Sequence, residues 1–242
     1  MKNPKISVVF PVYNESYIIE ETITSYYNEL KGKIDFEMIV AEDGSTDGTK
    51  EILQRLKKEL PIRVYMSNKR KGYQKAVIDS LKYPKHDWIF LVDSDYQYRP
   101  FDFWKLLPYI KEYDLILGMK VKRKDPIYRI MLSKGFNFLL RLFFKVPFRD
   151  ADSGFRLINK KVLDAVVGDI HCLKYFTSEL VIRSHFKGFR VKEVPVTHFE
   201  RKAGSTNVFP IRRIPFVIVE ELTGLFKLKA DIERNEKHEQ RH

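Results

Sequence analysis

The stretch WIFLVDSDYQYRP, residues 88–100, runs apolar for five residues and then presents two aspartates one residue apart. A run this short and this rich in Val, Ile and Phe suits a strand buried on both faces, ending at Val92. Aspartates after a strand often only start a turn or cap the next helix. A second stretch repeats the form, however. FEMIVAEDGSTDGTKEIL, residues 36–53, carries an apolar run from 36 to 41 and closes on Glu42 and Asp43. Two strands each deliver acid to an edge.

Around these two stretches strand and helix alternate. Strands are expected at 6–10, 36–41, 63–66, 88–92 and 115–119, with helical patterns at about 16–30, 46–60 and 72–81. The alternation predicts the α/β class, with a mostly parallel central sheet and helices on both faces. Such sheets bind ligands at the carboxyl ends of their strands, where crossovers diverge. Tyr13, Asn14 and Glu15 follow the first strand, Glu42 and Asp43 the second, and Asp93 and Asp95 the fourth, so topology gathers them at one rim.

Beyond Lys120 the character changes. Residues 126–144 read as a long apolar helix interrupted by Arg129, Lys134 and Arg141. FRDADSGFRLINKKVL, 148–163, reads as a loop leading into a helix. KGFRVKEVPVTHFERKAGSTN, 187–207, reads as a strand pair ending in a polar loop. Residues 210–229 are amphipathic, and the last dozen are charged and expected to fray.

At 242 residues and 44% hydrophobic content the chain can bury one good-sized core. One cysteine, Cys172, excludes an intrachain disulfide framework and reads as a small core residue. Six histidines without metal-ligand spacing argue against zinc. The net charge of +12 calls for an acidic partner: nucleic acid, a phosphorylated ligand or an anionic membrane. Nucleic acid is set aside, because the basic residues are scattered and no stacking motif appears. The N-terminus lacks the apolar stretch and cleavage site of a signal peptide, and no run approaches the roughly 20 apolar residues of a spanning helix. A cytoplasmic chain is expected.

Carboxylates crowded in a dry cleft need a positive charge among them. A divalent metal is the natural candidate: Asp93 and Asp95 alternate along what reads as an extended segment, with Gln97 two residues on. Hard oxygen ligands favour Mg²⁺ or Mn²⁺, which usually arrive bound to phosphates.

The motifs PVYNE (11–15), DGSTDGT (43–49), DSDYQ (93–97) and DADSGFR (150–156), in that order, resemble the family 2 glycosyltransferases, and within them the dolichol-phosphate mannose synthase type. The resemblance runs from about Ile6 to Asn207. It implies a GT-A fold and inverting transfer of a hexose from a GDP- or UDP-sugar. Pro11, Tyr13, Glu15, Asp43, Asp93 and Lys120 would bind the donor, and Asp93, Asp95 and Gln97 the metal and diphosphate. The acceptor would be a polyprenyl or dolichyl phosphate at the cytoplasmic face of a membrane. A catalytic domain is then expected at 1–209, and an amphipathic, membrane-interfacial segment with a charged tail at 210–242.

The residues support a lipid acceptor in their own right. Arg129, Ser133 and Asn137 recur every four residues and so share one helix face within about 80° of arc. Apolar positions such as Ile130, Met131 and Phe136 flank them, as a phosphate with a hydrocarbon tail requires, although an ordinary amphipathic core helix looks similar. Arg201 and Lys202 form a second candidate phosphate clamp. Related enzymes carry Gly, Ser and Lys after the arginine; here RKAGSTN places Thr206 and Asn207 where the Ser and Lys are expected, and Lys120 stands where an arginine is common.

A phosphate monoester is already ionised at neutral pH and needs no general base, so Asp150 and Asp152 would orient groups. If the acceptor were a sugar hydroxyl, as in polysaccharide or glycolipid synthesis, Asp150 or Asp152 would be the base. A nucleotidyltransferase would need a glycine-rich loop after the first strand, and PVYNES is not one.

Overall fold

The computed structural model describes residues 4–121, 123–124, 126–201 and 214–239. In chain order the elements are β1 (Ile6–Val12), α1 (Ile19–Leu30), β2 (Phe36–Glu42), α2 (Thr49–Glu59), β3 (Ile62–Met66), α3 (Tyr73–Ser80) and β4 (Trp88–Val92). There follow α4 (Phe103–Leu106), β5 (Leu115–Val121), α5 (Ile127–Phe144), β6 (Phe155–Asn159), α6 (Lys160–Val166), α7 (Phe176–Phe186), β7 (Val191–Thr197) and α8 (Ile214–Glu239).

The strands form one seven-stranded sheet in the order β3-β2-β1-β4-β6-β5-β7. β1 pairs in parallel with β2 and β4, β2 with β3, and β5 with β7; β6 runs antiparallel to β4 and β5. All five expected strands are present. Two expectations are corrected. Residues 155–159, read as part of a loop, are the inserted strand β6, and among the described residues of 187–207 there is one strand, β7, followed by a bridge between Tyr98 and His198.

The sheet is buried on both faces because successive residues alternate sides. Val8, Phe10, Met38, Val40 and Phe90 face α1, α2 and α4; Val9, Ile39, Ile89 and Leu91 face α3 and α5–α8. On α1, Ile19, Ile23, Tyr26 and Leu30 fall on one stripe at helical spacing and are fully buried. The chain leaves β1 toward β2 on one side and returns to β4 on the other. The ends of β1 and β4 therefore adjoin at the switch point, where Val9 lies opposite Leu91.

α8 continues through the residues expected to fray, as far as Glu239. Leu225, Leu228 and Ile232 join the same core as β4 and α7. Close docking requires Gly224: a Cβ there would lie 2.7 Å from the Cys172 carbonyl oxygen. Arg183 pairs with Asp231 at 2.8 Å and Lys174 with Glu220 at 2.9 Å across the contact.

Glu221, on the docked face of α8, is buried, and neither carboxylate oxygen accepts a hydrogen bond from a described residue. Burial pushes its carboxyl up to about 7, against Lys174 and with help from Glu220 and Glu179. A carboxyl raised in the folded state holds its proton more tightly there than in the unfolded chain. It therefore imposes no penalty below its unfolded pKa, and a growing one as pH rises toward 7. Glu221→Gln removes that term. Urea unfolding should show the variant gaining stability over the parent between pH 5 and pH 8, by on the order of 3 kcal/mol. A pH-independent difference would mean that the carboxylate is solvated.

Candidate active site

The loops after β1 and β2 are laced together by short polar side chains. Asn14, at φ +53°, donates its N–H to Ser45 Oγ and accepts from the Thr46 N–H, both at 2.9 Å. Glu15 N–H donates to Thr49 Oγ1 at 3.0 Å, and Ser16 N–H to Asp47 Oδ2 at 3.0 Å. The DGSTDGT motif thus fixes the 14–16 turn, and with it Glu15.

Asp43 accepts the backbone N–H groups of Lys71 and Gly72 at 2.9 and 3.0 Å, one on each oxygen. It ties down the loop before α3. Gly44, at φ +75°, lets that loop approach: a Cβ would meet Arg70 N at 2.5 Å. A cleft of about 650 Å³ opens here, bordered by Glu42, Asp43, Ser67, Arg70 and Lys75. Arg70 lies 4.1 Å from the centroid of the Tyr13 ring.

The segment after β4 is not extended. Tyr96 adopts φ +58°, so residues 93–97 form a turn, and the reason expected for Asp93 and Asp95 sharing a direction is corrected. The two carboxyls nonetheless interact. Burial pushes Asp93 up to about 7, Asp95 adds to the push, and Arg156 and Lys120 oppose it. Burial also raises Asp95, with Arg201 and the Gln97 N–H at 3.2 Å opposing. The Gln97 side-chain amide donates to the Phe199 carbonyl at 2.9 Å. Two neighbouring desolvated carboxyls suit a hard divalent cation, and Glu15 adds a buried Oε2 without a hydrogen bond among the described residues.

Opposite them lies a second charged cluster. Lys120, from β5, donates its N–H to Asp150 Oδ2 at 2.6 Å and sets Nζ 3.2 Å from Asp150 and 3.4 Å from Asp152. Ser133 Oγ and Asn137 Nδ2, one turn apart on α5, donate to the two oxygens of Asp152 at 3.1 and 3.0 Å. Asn137 Oδ1 also accepts the Ala151 N–H at 2.9 Å. Burial opposes ionisation of Asp152, yet Lys120, Asp150 and Asn137 hold it well below the usual carboxylate range. Asp150 is pushed up to about 7 by burial and Asp152, against Lys120.

The structure therefore places Ser133 and Asn137 against Asp152, where they fix the 150–152 loop. Arg129, half-buried on the same helix, and Arg201, past the end of β7, both oppose the rise of the Asp95 carboxyl through their charge. Pro11 is half-buried in β1. Lys202, Thr206 and Asn207 lie outside the described residues.

Three participants were not read from the sequence. Tyr98, buried, accepts the Gly154 N–H at 3.2 Å and bonds Ser153 Oγ at 3.2 Å beneath the site. Arg156 is fully buried on β6 and donates to the Thr177 carbonyl at 3.2 Å. Tyr17 receives Arg201 Nε at 2.6 Å. The one available signal was Arg156, a charge inside an apolar run. Away from the site, His171, Cys172 and Asp231 group their ligand atoms within 4.8 Å, but Arg183 already lies 2.8 Å from Asp231 and 3.4 Å from Cys172 Sγ.

Comparison with known proteins agrees with this geometry. The family described as Glycosyl transferase family 2 matches residues 7–167. A dolichol-phosphate mannosyltransferase of Pyrococcus furiosus is 29% identical over 241 residues, covering 95% of this chain and 66% of that protein. Glycosyltransferase AglD of Haloferax volcanii is 34% identical over 221 residues, covering 87% of this chain and 35% of its own length. The chain thus spans about two thirds of one relative and about a third of the other. Among solved structures, glucosyl-3-phosphoglycerate synthase of Mycobacterium tuberculosis, in complex with Mn²⁺, UDP and phosphoglyceric acid, superposes with a TM-score of 0.73 at 19% identity. The match covers 93% of this chain and 78% of that one, and the fold is GT-A.

Asp93 rests directly on Gly154: a Cβ at 154 would lie 1.6 Å from Asp93 Oδ2. Gly154→Ala should therefore displace the carboxylate and, if Asp93 ligates a metal, weaken Mn²⁺ binding by about tenfold or more, the scale of a disturbed ligand set. Titration calorimetry checks this, and unchanged affinity would remove Asp93 from the ligand set.

Proposed function

The chain belongs to glycosyl transferase family 2, and on that premise we propose that it is an inverting hexosyltransferase that moves a sugar from a GDP- or UDP-hexose to a polyprenyl or dolichyl phosphate. The observation that carries this reading is the distribution of charge around Asp95. The charges of Arg129 and Arg201 both oppose the rise of its carboxyl, and two such cations in reach of the rim suit an anionic acceptor. The carboxylates a hydroxyl acceptor would need are engaged: Asp152 by Ser133, Asn137 and Lys120, and Asp150 by the Lys120 backbone and side chain. The alternative, transfer to a sugar hydroxyl, would draw on Asp150, whose raised pKa suits a base.

In the proposed reaction an ionised phosphate oxygen attacks the anomeric carbon as that carbon's bond to the diphosphate breaks, so no proton moves in the chemical step. Arg129 and Arg201 hold and orient the acceptor phosphate, and Lys120 keeps the 150–152 loop in register. Asp93 and Asp95, with Gln97 beside them, would hold Mg²⁺ or Mn²⁺, which when bound neutralises the charge on the departing nucleoside diphosphate. Tyr13 and Arg70 offer a stacking site for the base. Pro11, Glu15 and Asp43 border the same donor side, with Asp43 acting through the loop it holds.

The outer faces of α5 and α8 suit a lipid substrate. Ile127, Met131, Phe138 and Leu142 form one stripe along α5, each 56–77% exposed, and Phe216, Val219 and Phe226 form another on α8. Phe143 and Phe226 join the two helices edge to face at 5.1 Å. Lys134, Arg141, Lys227 and Lys229 flank them. Among the described residues no helix is long and apolar enough to cross a membrane. Peripheral binding to an anionic cytoplasmic leaflet fits this composition, each basic residue near the surface being worth about 1 kcal/mol.

Asp95→Ala should abolish sugar transfer from nucleotide sugar into an organic-extractable, mild-acid-labile product while leaving the melting temperature near that of the parent. Retained turnover at saturating Mn²⁺ would refute the ligand assignment. Arg129→Ala should weaken recognition of the lipid phosphate by about 1.5–3 kcal/mol, with donor hydrolysis falling far less. Equal loss of both activities would move Arg129 to the donor. The full chain should co-sediment with anionic liposomes at low salt and be released at high salt. Indifference to lipid charge would detach α5 and α8 from the membrane.

A further inference from the structure

The chain that leaves β7 is anchored on the turn that carries Asp95. His198 bridges to Tyr98, Phe199 N–H donates to the Gln97 carbonyl at 2.8 Å, and the Gln97 amide returns a bond to the Phe199 carbonyl at 2.9 Å. Arg99 lies 4.3 Å from the centroid of the Phe199 ring. Two residues beyond this anchor, Arg201 reaches back across the rim. Its Nη2 bonds Glu15 Oε1 and its Nε donates to the Tyr17 hydroxyl at 2.6 Å.

Glu15 follows β1 and Asp93 and Asp95 follow β4, its parallel neighbour, so the three carboxylates meet at one rim, where Glu15 Oε2 is buried without a hydrogen bond among the described residues. Burying such a group requires compensating cations. Lys120 and Arg156, on β5 and β6, have buried side chains. Arg201 is different: it is half-buried, carries its charge on a long side chain, and is held at its tip by a carboxylate and a phenol. A doubly charged ion at Asp93 and Asp95 would repel a guanidinium facing Asp95. An anionic phosphate nearby would attract it.

We infer that Tyr17 and Glu15 form a resting dock that holds Arg201 over the acidic rim as a stand-in for the divalent cation, and that arrival of the cation with its diphosphate releases Arg201 toward the acceptor phosphate. Tyr17 is then a positioning residue, acting through Arg201 and touching neither substrate. The inference rests on the proposed reading of Asp93 and Asp95 as metal ligands.

The test is a titration of the full chain with Mn²⁺, reading free ion by electron paramagnetic resonance, first without nucleotide and then with saturating nucleoside diphosphate. Circular dichroism verifies that each variant is folded. Without nucleotide, Arg201→Met should bind Mn²⁺ about tenfold more tightly than the parent, because a resident positive charge is gone. Tyr17→Phe, which changes no charge, should bind about threefold more tightly, because the dock has lost a hydrogen bond to a charged group. With the diphosphate present the parent and Tyr17→Phe should converge. Tyr17→Phe binding Mn²⁺ alone with parental affinity would overturn the dock. Asp95→Asn binding Mn²⁺ as the parent does would instead overturn the ligand assignment on which it rests.

Discussion

Everything around this site answers one constraint: carboxylates taken out of water at the end of a sheet must be balanced. Burial raises Glu15, Asp93 and Asp95, and each neighbouring cation arrives from a different part of the chain. Lys120 comes from β5, Arg156 from β6, Arg129 from α5 and Arg201 from beyond β7. The second half of the molecule is in this sense a holder for positive charge, fitted to an acidic edge made by the first half. Unpaired, such carboxyls would protonate or take in water. Paired, they remain available to a stronger cation.

The antiparallel strand β6 makes the fit possible. Inserted between β4 and β5, it sets Gly154 under Asp93 and Arg156 opposite Leu91. The loop before it carries Asp150 and Asp152 to Lys120, where Ser133 and Asn137 of α5 hold it. One short strand thus couples the carboxylates that follow β4 to α5. Tyr98 closes the contact from below by bonding Ser153 and Gly154.

The first half of the fold was legible because parallel strands buried on both faces read as short apolar runs, and because the ends of such strands converge. Asp93, Asp95, Glu15 and Asp43 follow from that rule alone. β6 escaped it: its five residues carry a charge at Arg156, and a buried arginine looks in sequence like a loop residue. The turn at Tyr96 escaped because a left-handed non-glycine residue leaves no mark in composition. Ser133 and Asn137 were correctly put on one helix face, but periodicity does not say what the face meets. The tail of α8 looked frayed because only one of its faces is apolar. That face, with Leu228 and Ile232, is the one that docks.

The strand order also governs how the chain can be assembled as it emerges from the ribosome. β1 to β4 all lie between Ile6 and Val92 and pair in parallel with one another, so a four-stranded parallel sheet can form as soon as those residues are available. β4 then presents an open edge until β6 appears, more than sixty residues later in the chain. β5, made in the interval, finds its partners only in β6 and β7. Through that interval the nascent protein carries a five-residue apolar edge of the kind that invites pairing with other chains. The acid-bearing turn after Val92 lies at the end of that edge, and its charge gives the waiting intermediate a barrier against self-association before its own cations arrive.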